Sequence, residues 1–411
     1  MVTVSSDSKA SAPTSTSKET SFDTIPYDAP LENLNTILQK RGLSPETLSA
    51  WARKKSQAGS NSKHLTVPEA DLRGKRVIIT GSNSGIGREA ALQMAAWGAN
   101  LVLGCRPNPP PHELHPDTVV QECIQAGKKA GNVIEVEWWA IDHADLKTVD
   151  AFAQRWLATG HALDILCSNI GMGAKRPVPE EQAKKGEKYR KTIDGFEEVH
   201  SVNFLGHVEL ILGLLPTLAR ASEPRIVCTT SCFHYLGKFD MQNWNGEKDD
   251  AGIGGVQFYQ NSKLRYQIWL TELQSRLLLH PEYRHITVNG CHPGFVNSGI
   301  WFMPGKSWVS WIQEKVTQFL ASRVGINSQQ GSLTILHVAT SPEAGPDPKT
   351  QGVGKEGGHG GGRYFNRIWE DEAMPHCEDA DCRSRVWRKV NDELKLSEKG
   401  LLGLLGVFGT L

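Results

Sequence analysis

Val77-Ile-Ile-Thr80-Gly-Ser-Asn-Ser-Gly-Ile-Gly87 decides how the rest of the chain is read. The apolar run ending in Thr80 reads as a short buried strand. Glu89-Ala-Ala-Leu-Gln-Met-Ala-Ala then continues as a helix with no Gly or Pro before Gly98. Gly81, Gly85 and Gly87 therefore fall on a strand-to-helix connection. Missing side chains there let the backbone turn sharply, approach a pyrophosphate and aim the free N–H groups of the helix start at negative charge. The spacing departs from the common G-x-G-x-x-G fingerprint, so the trio alone reads as a dinucleotide cradle or as a plain turn.

The next apolar run, Asn100-Leu-Val-Leu-Gly-Cys, ends at Arg106. A dinucleotide fold presents an acid to the adenosine ribose 2'-hydroxyl about twenty residues after its glycines, whereas an Arg in that place pairs with a 2'-phosphate. No acid appears before Glu113. A carboxylate repels a 2'-phosphate and a guanidinium grips it with two hydrogen bonds, so the expected cofactor is NADP(H). The competing reading of Arg106 is a solvated side chain at a strand end.

Outward from this pair, strand and helix patterns alternate. Val133 to Ala140, Leu163 to Cys167, Arg225 to Thr229 and His285 to Cys291 read as further strands. Such alternation predicts an α/β fold, a doubly wound parallel sheet of the Rossmann type covered by helices on both faces. Four segments read as surface insertions: Pro107 to Pro116, Lys175 to Lys191, Gly237 to Gly255 and Gly345 to Arg363.

The chain divides into four stretches. Residues 1–23 are rich in Ser, Thr and Lys and cannot offset their ordering entropy by burial, which predicts disorder. Residues 24–70 form a helical arm in two pieces, the second starting at Ser44-Pro-Glu-Thr, with packing on the domain or on a second subunit both open to it. Residues 71–396 read as a single Rossmann-type domain with insertions, and 397–411 as an apolar tail. That tail spans too little of a bilayer core to cross it, but it suits docking on a groove, a partner or a membrane face. Ser307 to Val324 places Trp308, Trp311, Ile312, Val316, Phe319 and Leu320 at near-helical spacing, which fits a packed helix, a lid or a membrane-facing patch.

With 45 Lys+Arg against 45 Asp+Glu among 411 residues, nothing in the charge balance points to nucleic acid. The eight cysteines are scattered and no secretory signal precedes them, so they read as reduced thiols in a cytoplasmic setting, with peripheral membrane contact and a homo-oligomer left open. His376-Cys377 with Cys382 is half of a metal-site pattern without a second ligand pair, so no metal is expected.

The chemistry sits downstream. Tyr259-Gln-Asn-Ser-Lys263 opens a helical pattern that puts phenol and ammonium on one face, and a cation one turn away is expected to move the phenol pKa from near 10 toward neutrality. Ser231 closes the strand at Arg225-Ile-Val-Cys-Thr-Thr, at the carboxyl end where ligands of such sheets bind, and its hydroxyl suits a substrate carbonyl oxygen. Asn203 is polar within an otherwise helical run, placed either to hold a water beside Lys263 or as a satisfied buried amide.

Together these residues resemble the TGxxxGxG turn, the YxxxK pair and the remaining tetrad members of the short-chain dehydrogenases/reductases, over roughly Leu72 to Leu396. Lys191-Thr-Ile-Asp-Gly-Phe-Glu leading to Asn203-Phe-Leu-Gly-His, with Cys291-His-Pro-Gly-Phe-Val, is similar to the retinol-dehydrogenase-like branch, as are Gly362-Arg-Tyr-Phe and the Trp387 helix to its C-terminal cap. The resemblance implies Asn203, Ser231, Tyr259 and Lys263 as the catalytic set. It implies that Gly81, Ser82, Ser84, Gly85, Ile86 and Gly87 cradle the cofactor, with Tyr259 and Lys263 also touching it. Arg106 would meet the 2'-phosphate, Asp142 the adenine, Asn169 and Gly171 the cofactor-side loop, and Pro293, Gly294, Val296 and Ser298 the nicotinamide edge. Two positions depart from the family pattern: Ser168-Asn-Ile-Gly replaces NNAG, and Ser298 stands where Thr is commoner.

The activity implied is an NADP(H)-dependent exchange of hydride with a carbonyl or secondary alcohol, in the reductive direction. Trp301, Phe302, Trp308 and Trp311 after the Pro293-Gly294 turn point to a bulky apolar substrate, such as a steroid, retinoid, terpenoid or polyketide of secondary metabolism. Its rivals are an NAD-dependent alcohol dehydrogenase and a non-catalytic NADP(H)-sensing interaction protein.

Overall fold

The structure, a computed structural model, describes residues 25–59, 62–111, 113–173, 176–246, 248, 255–297, 325–347, 349 and 360–401. The tail 1–23, the run Ser307 to Val324, the aromatic residues Trp301 and Phe302, Ser298 and all of the C-terminal apolar run past Leu401 lie outside these residues.

Two helices come first, α1 (Glu32–Lys40) and α2 (Pro45–Ala58). Ser44 starts α2 as its sequence predicts. The Ser44 Oγ accepts from the Thr47 backbone N–H at 3.3 Å, and Thr47 Oγ1 accepts from the Ser44 N–H at 2.8 Å, satisfying two donors that a helix start leaves orphaned. The first half of the sheet follows: β1 (Arg76–Thr80), α3 (Gly85–Ala96), β2 (Asn100–Cys105), α4 (Pro116–Lys129), β3 (Val136–Ala140), α5 (Leu146–Ala158) and β4 (Ile165–Ser168). After the short α6 (Glu180–Lys184) and α7 (Glu198–His200) come α8 (Gly206–Leu218), β5 (Arg225–Thr229), α9 (Val256–Leu279), β6 (Thr287–His292), α10 (Ser328–Thr340), β7 (Tyr364–Asn366), β8 (Trp369–Asp371) and α11 (Ala380–Leu394).

The eight strands form one sheet in the order β3-β2-β1-β4-β5-β6-β7-β8, parallel except for the β7/β8 pair. Chain order reverses between β1 and β4, which opens a crevice at their carboxyl ends. Side chains alternate across the sheet: Ile78, Val102 and Leu166 enter the core under α5, α8 and α9, while Val77, Ile79, Leu101 and Leu103 enter the core under α3, α4 and α10. With both faces covered, the strands read as continuous apolar runs.

The strands start later than the apolar patterning does, at Val136, Ile165 and Thr287, because pairing begins only where a neighbour is in register. Val133 is fully exposed. The run 198–218 is long and apolar enough to cross a membrane, but most of it is buried inside the fold.

Two expectations change, and one open alternative closes. The segment from Gly237 is not all surface: Trp244 is buried, with the Arg265 guanidinium 4.0 Å from its ring centre. Tyr364 and Phe365 do not cap the domain but extend the sheet beside β6. The arm packs on the domain, with Trp51 edge-on to Tyr235 at 5.5 Å, Lys55 paired to Asp371 at 2.6 Å and the Leu65 backbone held by Gln330.

Candidate active site

At the end of β1 the chain turns through Gly81 (φ +67°) and Gly85 (φ +56°), a region that side chains disfavour. Gly87 is required by contact instead: a Cβ there lies 2.3 Å from the Gly81 oxygen and 2.6 Å from Asn169 Nδ2. Ser84 precedes α3 without capping it through its side chain, so the N–H groups of the helix start stay directed at the crevice. A bare backbone cradle facing a helix N-terminus fits a pyrophosphate.

Asn169 ties three strand ends together. Its N–H donates to Thr80 Oγ1 at 3.0 Å, its Nδ2 to the Thr80 oxygen at 3.1 Å, and its Oδ1 accepts from Thr229 Oγ1 at 3.1 Å. The departure at Ser168 has a physical reason. Ser168 Oγ lies 2.6 Å from His207 Nδ1, and His207 Nε2 lies 2.7 Å from the Ile170 carbonyl. A carbonyl only accepts, so Nε2 carries the proton and Nδ1 accepts from Ser168. Burial holds this imidazole well below its ordinary pKa, hence neutral.

Arg106, at the end of β2, does not stand free. Its Nη2 donates to both oxygens of Glu113, at 2.9 and 3.0 Å, and Glu113 also accepts from Asn83 Nδ2 at 2.8 Å. Asp142 follows β3, where its Oδ1 accepts from the Ala144 N–H at 2.9 Å.

The proposed catalytic side chains meet at the carboxyl end of β5. Ser231 starts a short turn, Cys232–Leu236, with its Oγ accepting from the Phe233 N–H at 3.2 Å. Tyr259 and Lys263 are one turn apart on α9, the Lys263 Nζ 5.7 Å from the phenol ring centre. Asn203 lies in a π-helical turn, Ser201–Leu205, where its Oδ1 accepts from the Met172 N–H at 2.8 Å and its Nδ2 donates to the Met172 oxygen and to Ser262 Oγ. A Cβ at Gly171 would lie 3.6 Å from Asn203 Oδ1 and 3.7 Å from Lys263 Nζ, so all three converge on one spot.

The electrostatics differ from the expectation that Lys263 draws the phenol toward neutrality. Burial pushes Tyr259 up to about 12, against a smaller downward effect of its hydrogen bond with Ser231. Burial likewise pulls Lys263 down to about 8. Lys263 directs its Nζ at the Thr229 carbonyl, 2.9 Å away, and desolvation is the largest influence on both groups. A phenol held protonated is suited to giving a proton.

Pro293 and Gly294 follow β6. A Cβ on Gly294 would meet Arg367 Cδ at 2.8 Å and Ile326 Cδ1 at 3.0 Å. Val296 bridges to Ile326, and at Gly331 a Cβ would meet both Val296 and Ile86, so these two residues come together over α10. Two supports escaped sequence reading. Arg367, wholly buried at φ +61°, donates its N–H to the His292 oxygen at 2.9 Å. Gly59, just past α2, accepts from His292 Nε2 at 3.0 Å and abuts Cys232, beside Ser231. The Asn366-Arg367 step between two aromatic strand segments marks a turn, but nothing in it signals burial.

Residues 75–244 match the family described as short chain dehydrogenase. Mouse retinol dehydrogenase 14 is 31% identical over 330 residues, covering 77% of this chain and 84% of its own length. Mouse polyprenol dehydrogenase is 28% identical over 318 residues, 76% of this chain and 82% of that one. Among solved structures, an uncharacterized protein from Mycobacterium paratuberculosis superposes with a TM-score of 0.52 at 21% identity, over 81% of this chain and 98% of its own.

Proposed function

The chain belongs to the short-chain dehydrogenase/reductase family, in its retinol-dehydrogenase-like branch, and from that premise we propose that it is an NADP(H)-dependent reductase of bulky apolar aldehydes or ketones. The observation that carries the reading is the convergence of Ser231, Tyr259, Lys263 and Asn203 beside the glycine turn.

When bound, the nicotinamide supplies the hydride. Tyr259 gives a proton to the carbonyl oxygen, and its raised pKa keeps that proton in place at neutral pH until the developing alkoxide takes it. Ser231 positions that oxygen by a hydrogen bond. Lys263, fixed by Thr229, would hold the ribose, and Asn203 with a water would refill the phenol's proton. By the family resemblance, Gly81, Ser82, Ser84, Gly85, Ile86 and Gly87 would hold the pyrophosphate, Asp142 the adenine, Asn169 and Gly171 the cofactor-side loop, and Pro293, Gly294, Val296 and Ser298 the nicotinamide. Arg106 supports the choice of NADP(H), by its charge at the end of β2.

Substrate bulk is supported by the apolar cluster of Tyr189, Val199 and Phe258 packed with Met172 and Phe233 around Tyr259. The names of the two relatives, a retinol and a polyprenol dehydrogenase, point to the same class. A cytoplasmic setting belongs to this reading, in keeping with eight free, buried thiols.

The test is NADPH and NADH oxidation by the full chain across apolar aldehydes and ketones, with Tyr259→Phe beside it. NADPH-linked turnover that the substitution abolishes is the expected result. Saturating turnover only with small polar ketones, or equal use of both cofactors, would overturn the substrate or the cofactor assignment respectively.

A further inference from the structure

We propose that Glu113 is a specificity-determining residue: its carboxylate occupies the place against Arg106 and Asn83 that a cofactor 2'-phosphate takes, so that NADP(H) binds in competition with it and NAD(H) does not. The inference rests on the reading that Arg106 faces the adenosine ribose.

Two donors from the cofactor-facing segments aim at one anion. Arg106, at the end of β2, sends Nη2 to both Glu113 oxygens at 2.9 and 3.0 Å. Asn83, within the glycine turn, sends Nδ2 to Glu113 Oε2 at 2.8 Å and to the Leu114 oxygen at 3.3 Å. The Glu113 side chain is only 15% exposed, while Arg106 is 36% exposed and so remains open to solvent. Glu113 belongs to the Pro-rich insertion between β2 and α4, not to the sheet, and is therefore a part of the loop that can move away without disturbing a strand.

The consequence is electrostatic. A 2'-phosphate brings close to two negative charges and three acceptor oxygens, enough to satisfy both donors. It cannot share them with a carboxylate, since like charges at contact repel. Each NADP(H) that binds must therefore break the Arg106–Glu113 pair, whereas a ribose 2'-hydroxyl carries no charge and leaves the pair intact. Glu113 narrows a preference that Arg106 creates.

The experiment titrates NADPH and NADH into the full chain, following nicotinamide fluorescence, for the natural sequence, Glu113→Gln, Arg106→Ala and the double variant. Glu113→Gln keeps the shape and removes the charge. Expected is a tightening of NADPH by about tenfold with a change in NADH under about twofold, of the size that removing one like-charge contact brings. In the Arg106→Ala background the Glu113→Gln effect on NADPH shrinks to a few-fold at most, because the guanidinium to compete for is gone and only the carboxylate's repulsion and its hold on Asn83 remain. NADPH unchanged or weakened by Glu113→Gln, or an equal effect with and without Arg106, overturns the proposal. NADH weakened about tenfold also overturns it, and makes Glu113 the acid that holds the ribose hydroxyl. The natural chain's own NADPH-to-NADH ratio reads the parent assignment separately: a preference for NADH defeats that assignment, while a tenfold gain in NADPH affinity on Glu113→Gln still upholds the competition.

Discussion

The Nζ of Lys263 is fixed on the carbonyl of Thr229, 2.9 Å away, at the last residue of β5. That bond sets the ammonium at the carboxyl end of an interior strand, and burial governs both members of the Tyr259–Lys263 pair: the phenol rises to about 12 and the amine falls to about 8. Of the two, only Lys263 changes charge in the working range. Below about 8 it is a cation; above, the charge is lost while Tyr259 remains protonated. Reductive kcat/KM is expected to hold steady through roughly pH 6–7.5 and to fall above about pH 8. A profile at saturating NADPH that keeps rising past about pH 9 would contradict this assignment.

Gly87→Ala tests the cradle. Its methyl would sit 2.3 Å from the Gly81 oxygen, and backbone cannot step aside as a flexible side chain does. Overpacking of this kind costs about 1–3 kcal/mol, so NADPH affinity is expected to fall roughly tenfold or more with the circular-dichroism spectrum unchanged. Retained affinity in the folded variant would show that the turn does not meet the cofactor.

Gly59→Ala tests the arm. The added methyl meets Cys232 Cβ and Sγ at 2.5 Å and His292 Nε2 at 3.0 Å, between the Ser231 turn and the Pro293 loop. The expected result is a kcat lowered about tenfold, by misplacement of the reacting groups, with NADPH affinity changed less than about twofold. Loss of kcat and affinity in parallel would point instead to general unfolding.

Acid stability follows from four buried imidazoles. Burial lowers His143, His292 and His376 to about 4 and His234 to about 3, from an ordinary 6.5. Between 6.5 and 4 the unfolded chain binds protons that the folded chain refuses, so stability is complete above 6.5 and is lost as pH falls toward 4. Urea midpoints are expected to decline steadily from about pH 7 to about pH 5, and a flat series would refute the contribution.

The sheet was legible because its signal is local. Val77 to Thr80 and Asn100 to Cys105 are continuous apolar runs, and buried parallel strands require nothing else. Tyr259 and Lys263 were legible because helical spacing alone puts them on one face. Arg106 was legible as a charge at a strand end, but its bond to Glu113 was not, since that contact depends on how an irregular loop folds back. The direction of the Tyr259 shift was misread for a related reason: sequence shows the neighbouring cation but not the depth of burial that outweighs it. Gly59 and Arg367 stayed hidden because their partners, Cys232 and His292, are remote in the chain and no spacing rule joins them.

The bond from His292 to the Gly59 carbonyl spans 233 residues. At synthesis rates of roughly 5–20 residues per second, the arm leaves the ribosome about 10–50 s before the strand that receives it has been made. Until the residues that cover them are made, Tyr235 among them, Leu48 and Trp51 face water or a chaperone. A helix translated early thus reaches its last contact late, and the support beside Ser231 is completed only when the arm and β6 meet.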